Sequence, residues 1–168
     1  PSTGSELWNF SNGAATIPSG TAAGDTLIIP SRGMTAVKPN PLGGEPISLW
    51  NQKTQKPATA SPLIMADTIY FTNSAGVLTA ADRKTGKRLW RLRMKGPFSG
   101  SPVACQNGHL YFFNEEGLGQ VVDISGDIGE VVSEFDLGET ILATPSISRN
   151  SLYIRSDQTL WKFSAQKE

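Results

Sequence analysis

The chain has 168 residues, with 15 basic and 15 acidic side chains, one histidine and one cysteine. That length suits one domain with enough chain to bury a core, and balanced charge gives no basic field to draw nucleic acid or a membrane surface. One cysteine excludes an internal disulfide framework, a lone histidine beside it leaves no zinc-type cluster, and no apolar stretch approaches the ~20 residues of a transmembrane segment.

Seventeen glycines and eleven prolines are spread along the whole chain, so few segments could hold a helix of ~10 residues. In chain order, Glu6 to Phe10 reads as a first strand. Thr26 to Ile29, Thr68 to Phe71, His109 to Phe112 and Ser151 to Ile154 follow. These runs are rich in β-branched and aromatic residues and are set off by turn chemistry such as Asn107-Gly108. The chain is read as all-β.

Its strands repeat. Trp8, Trp50 and Trp90 are 42 and 40 residues apart, and Ser19, Ser61 and Ser101 take the same two steps. Pro62, Pro102 and Pro145 continue the second series at 40 and 43. Two markers moving in register at ~40–45 residues, with four short strands per unit, indicate β-propeller blades. Blades are placed at about 19–50, 61–92, 101–137 and 144–163, within one domain over 1–168. In the second, Ser61 to Met65 is the inner strand and Thr68 to Thr72 the next. Asn73 to Gly76 is a hairpin, Val77 to Ala81 the third strand, and Lys87 to Leu92 the outer strand after the Asp82 to Gly86 turn. One large ring per blade fills the wedge to its neighbour.

Ala80-x-Asp82-x-x-Thr85-Gly86-x-x-x-Trp90 resembles the repeat of the pyrroloquinoline-quinone-type propellers, a superfamily of quinoprotein alcohol dehydrogenases with a non-catalytic, BamB-like branch. Trp8, Trp50, Trp90, Ala80, Asp82, Thr85 and Gly86 are thereby expected to dock blades. The first blade keeps Gly33, Ala36 and Trp50 but has Lys38 at the Asp position. The third keeps Asp123 and Gly129 and aligns Ser133 with the Trp, leaving Val132 and Phe135 to fill that wedge.

Glu6 to Phe10 aligns with an outer strand, whereas the blade from Thr144-Pro145 stops after its third strand, which carries Trp161. The N-terminal strand is therefore expected to complete a blade that lacks its outer strand, which removes an open edge. Three closures meet this arithmetic: a four-bladed ring, a homodimer exchanging terminal strands into an eight-bladed ring, or half of a longer polypeptide. The resemblance implies seven or eight blades. Pro1 in place of Met suggests a mature or trimmed product.

Residues able to do chemistry read first as structural. Cys105 in an inner strand is a small buried hydrophobe before it is a reactive thiol. His109 follows a tight turn, and no orienting carboxylate or nucleophile is marked for it. Asp67, Asp82, Asp123, Asp127 and Asp157 suit turns, and no D-x-D-x-D-G calcium loop occurs. The basic run Arg83 to Lys95 reads as a defended strand edge, balanced by Glu130 and Glu134. No catalytic, cofactor or metal site is assigned.

The loops leaving the outer strands, with the hairpins between second and third strands, make the candidate interaction face. There Phe98, rimmed by Arg93, Lys95, Glu115 and Glu116, has the makeup of an anchor for a protein partner; folded inward, it is core. The leading reading is a non-enzymatic interaction scaffold, which the resemblance places in the periplasm or another extracytoplasmic space. One alternative is part of a quinoprotein dehydrogenase, whose branch implies PQQ and calcium, often under a vicinal cysteine pair. Another is a ligand- or carbohydrate-binding module.

Overall fold

A computed structural model describes residues 3–164. It holds fifteen strands and, among the described residues, no helix. The first sheet comprises β1 (Thr21–Ala23), β2 (Thr26–Ser31), β3 (Gly33–Lys38) and β4 (Ile47–Gln52). The second comprises β5 (Leu63–Met65), β6 (Thr68–Thr72), β7 (Val77–Asp82) and β8 (Arg88–Arg93). The third holds β9 (Val103–Ala104), β10 (His109–Phe113), β11 (Leu118–Asp123) and β12 (Glu130–Asp136), and the fourth β13 (Ser146–Ser148), β14 (Ser151–Arg155) and β15 (Leu160–Ser164). Each is an antiparallel meander in sequence order, four-stranded except for the last, which has three. We refer to them as blades 1 to 4.

Register is conserved from blade to blade. Ile28 faces Ala36, which faces Trp50; Tyr70 faces Ala80, which faces Trp90; Tyr111 faces Val121, which faces Ser133; Tyr153 faces Lys162. In blades 1 to 3 a bulge follows this row between the third and outer strands, adding local twist at the same place each time.

Because side chains alternate across a strand, each inner blade buries both faces. Ile69 and Phe71 pack back onto Ile28, Met34 and Ala36, with Trp50 alongside. Tyr70, Leu78 and Ala80 pack forward onto Leu110, Phe112 and Val122. Phe113, Ile141 and Ile154 join blades 3 and 4. The core is three wedges between sheets.

The tryptophan series has its reason here. Trp50 reaches across to blade 2, where its Nε1 donates to the Arg83 carbonyl at 3.0 Å. A Cβ on Gly86 would stand 2.7 Å from that ring, so only glycine admits the flat contact, and Gly86 also turns with φ +67°. Trp90 repeats the step onto Gly129, where a Cβ would lie 2.5 Å from the ring. Ala80 leaves room beneath Trp90, and Asp82 holds the turn by accepting from the Thr85 N–H at 2.8 Å and hydroxyl at 2.6 Å.

The serine series is a chain of latches. Ser19 N–H donates to Ser61 Oγ at 2.8 Å, Ser61 N–H to Ser101 Oγ at 2.9 Å, and Ser101 N–H to Thr144 Oγ1 at 3.0 Å. The proline after each of the last three residues offers no N–H of its own to compete. The period in the sequence is thus the period of blade contacts.

Two expectations are corrected. Glu6 to Phe10 form no strand and pair with no sheet, so Trp8 sits half-buried on irregular chain and not on an outer strand. Among the described residues, no strand pairing closes the four blades into a ring. At the third wedge Phe135 replaces the tryptophan, 5.7 Å from Phe113 and 5.6 Å from Phe163, but Val132 points outward and is 52% exposed. The bulge explains the difference: Val131 and Ser133 pair with β11, and Val132 between them is the extra residue without a partner.

Candidate functional site

The loops leaving β4, β8 and β12 and the hairpins β2–β3, β6–β7, β10–β11 and β14–β15 do share one end of the blades. Ala58 N–H donates to the Thr72 carbonyl at 3.0 Å, Met94 to Gly76 at 2.9 Å, and Leu137 to Gly117 at 3.1 Å. The β6–β7 and β10–β11 hairpins are each built from a side chain that stands in for backbone. Asn73 Oδ1 takes the N–H groups of Ala75 and Val77, and Asn114 Oδ1 those of Glu116 and Leu118. The repeated Asn-x-x-Gly at 73–76 and 114–117 is the sequence signal for this device.

The structure divides the proposed anchor from its rim. Phe98 is 4% exposed and meets Phe112 edge-on at 5.7 Å, so it is core and not a surface anchor. The cause is a pair of buried amides. Gln120 accepts from Lys95 N–H at 3.0 Å and donates to its carbonyl at 2.9 Å, and Asn114 donates to the same carbonyl at 3.1 Å. This clamp turns the loop so that Phe98 caps the wedge between blades 2 and 3. Nothing in the sequence singled out Gln120.

The rim residues do gather at this end. Arg93 donates to the Ala75 carbonyl at 2.6 Å, Lys95 pairs with Glu134 at 2.6 Å, and Glu115 accepts from Ser99 at 2.7 Å. Glu116 remains exposed beside them. Exposed pairs of this kind contribute at most ~1 kcal/mol each; their effect is to fix where charge is displayed. A shallow cleft of about 220 Å³ between blades 1 and 2 opens here, lined by Gln55, Lys56, Asn73 and Arg91 among others.

On blade 4 a carboxylate takes over the hairpin. Glu139 accepts from the Ser156 and Thr159 hydroxyls and from Gln158 N–H, and the Ser156 hydroxyl above all holds its pKa below the ordinary 4.5. A folded-state pKa below the unfolded one adds stability above that ordinary value, lost as pH falls through the folded one. Ser156→Ala should therefore lower the urea midpoint at about pH 7, and the difference should narrow as pH falls below the ordinary carboxylate value, leaving the part due to the hydroxyl's bonds with Trp161 Nε1 and the Thr159 carbonyl. A constant difference across that range would contradict the assignment.

At the opposite end, a cavity of about 640 Å³ lies between blades 3 and 4, bordered by Cys105, Asn107, Tyr111, Arg149, Leu152 and Phe163. Burial raises the Tyr111 pKa above its ordinary value. His109 Nδ1 lies 3.0 Å from the Asn107 amide, an exposed turn contact with no nucleophile attached. Among the described residues no three His, Cys, Asp or Glu side chains come together. No helix there is long and apolar enough to cross a membrane.

A family model described as outer membrane protein assembly factor BamB matches residues 1–97 and again 74–167. The chain belongs to this BamB family. Two overlapping matches on one chain are what tandem blades produce. BamB from Moraxella catarrhalis superposes with TM-score 0.69 at 18% identity, over 94% of this chain and 49% of its own. This chain thus spans about half the length of that BamB. The computationally designed Ika4 protein gives 0.70 at 12% identity, over 97% and 99%. Quinohemoprotein alcohol dehydrogenase from Pseudomonas putida gives 0.64 at 15%, over 88% of this chain and 29% of its own. At these identities the likeness shows the fold, a β-propeller of PQQ-type repeats. The sequence matches none of the curated proteins. With one cysteine the chain cannot form the vicinal cysteine pair often found in the quinoprotein branch.

Proposed function

We propose that the chain is a non-catalytic propeller segment that serves as a protein–protein interaction scaffold in extracytoplasmic envelope assembly and needs no cofactor. One observation carries this reading: the polar groups of the loop face are spent on holding loops. Gln120, Asn114, Arg93 and Ser99 all bind neighbouring loop groups, leaving a fixed charged surface in place of a reactive centre. Membership of the BamB family supports it. The contact surface is Arg93, Lys95, Glu115 and Glu116, with the neighbouring exposed Leu142 as apolar component.

The test places a photo-crosslinking amino acid at Glu116 or, on the opposite end, at Asp127, in cells that express the protein with a periplasmic leader. Discrete protein adducts from position 116 and none from 127 are expected. Equal labelling from both would contradict the face. Dye reduction after reconstitution with quinone and calcium would instead favour the dehydrogenase reading, to which the Pseudomonas likeness lends its fold.

A further inference from the structure

The amide clamp that turns the Lys95 loop has no copy one blade back. Thr35, Thr79 and Gln120 hold one position on successive third strands, opposite Ile29, Phe71 and Phe112. All three are buried, and the outer strands set Asn51, Arg91 and Glu134 beside them. In blade 1 the Thr35 hydroxyl is taken up by the Asn51 amide at 2.7 Å and by Ser31 at 3.0 Å. In blade 3 Gln120 reaches the Lys95 backbone, Asn114 joins it, and Glu134 pairs with the Lys95 ammonium.

Blade 2 has the same frame without these bonds. Gln55 follows Trp50 by five residues, as Lys95 follows Trp90, so it stands where the clamp would close. Thr79 is shorter than glutamine, and although it is 2% exposed its hydroxyl takes no partner among the described residues. Asn73 spends its Oδ1 on Ala75 and Val77, which leaves its Nδ2 to donate. Neither Lys56 nor Arg91 enters an ion pair among the described residues. With the clamp missing, the wedge opens as the cleft of about 220 Å³ between blades 1 and 2.

The unspent groups of this cleft are of one kind. The Thr79 hydroxyl, the Asn73 amide, Lys56 and Arg91 can all donate, two of them are cations, and no described lining residue is acidic. Directly opposed residues share a face of the sheet, so Arg91 and Thr79 address the same space. A guanidinium binds a two-oxygen acceptor through parallel hydrogen bonds. The volume lies below the roughly 300–1,000 Å³ of sites that enclose a whole ligand, so the cleft admits one acidic end and leaves the rest outside.

We propose that this cleft binds a carboxylate group, with Arg91 and Lys56 neutralising it and Thr79 and Asn73 fixing its oxygens. A free dicarboxylic acid and a glutamate side chain of a bound protein present the same chemistry. The site stands apart from the scaffold reading and does not depend on it.

The experiment is a nitrogen–proton NMR titration of the full chain, read at the Thr79 backbone amide, the Asn73 side-chain amide and Arg91 Nε. The probes are glutarate, its neutral diamide, inorganic phosphate and a blocked Gly-Glu-Gly peptide. Saturable shifts are expected with glutarate and with the peptide, and the tighter of the two names the source. Arg91→Gln should weaken both at least about tenfold, the scale of one charge-assisted bond. Thr79→Gln gives blade 2 the side chain of blade 3; it should fill the cleft and abolish binding with no fall in melting temperature. Absence of saturable shifts with both acids overturns the proposal. So does a diamide or phosphate response as strong as that of glutarate, or undiminished binding in a folded Thr79→Gln or Arg91→Gln variant.

Discussion

Phe98→Ala is expected to cost about 3–5 kcal/mol of folding stability, the range for removing a buried aromatic ring. The ring is 4% exposed and packs on Phe112, Tyr70 and Leu110 within one wedge. Its loss leaves a cavity that blades 2 and 3 can close only by shifting as whole sheets. Chemical denaturation should show the midpoint falling with the slope nearly unchanged. An unchanged midpoint would return Phe98 to the surface and restore it as a candidate partner anchor.

Trp90→Ala should cost about 2–4 kcal/mol, less than a fully buried ring because Trp90 is half-buried at the outer edge. The ring bridges its own Tyr70, at 5.9 Å, and Gly129 of the next blade. Two blades lose their outer contact together. Gly129→Val tests the same contact from the other side, since its side chain would enter the space of the indole. If both variants melt with the parent, the ring does not wedge the blades.

What could be read in the sequence was what every blade must present to the next. Trp50, Trp90 and the Ser61 and Ser101 hydroxyls meet the same neighbours at each step, so their spacing is set by geometry and shows as a period. Gly86 belonged to the motif, and its reason became visible only with the indole lying on it. Phe98 was ambiguous because a loop aromatic has no periodicity to orient it; the buried amides of Gln120 and Asn114 decide its direction. Glu6 to Phe10 carry an outer-strand sequence, but a strand forms only where a ladder offers partners.

The claim beneath the rest is that successive blades are latched by a serine amide on one and a hydroxyl on the next. Amide hydrogen exchange at Ser61 measures this directly, because its N–H donates to Ser101 Oγ at 2.9 Å. In Ser101→Ala the Ser61 amide should exchange at least about tenfold faster, the equivalent of a lost ~1.4 kcal/mol contact, while the strand amides of β6 and β7 keep their protection. Exchange at Ser61 that is unaltered by the substitution would contradict the latch and the blade order built on it.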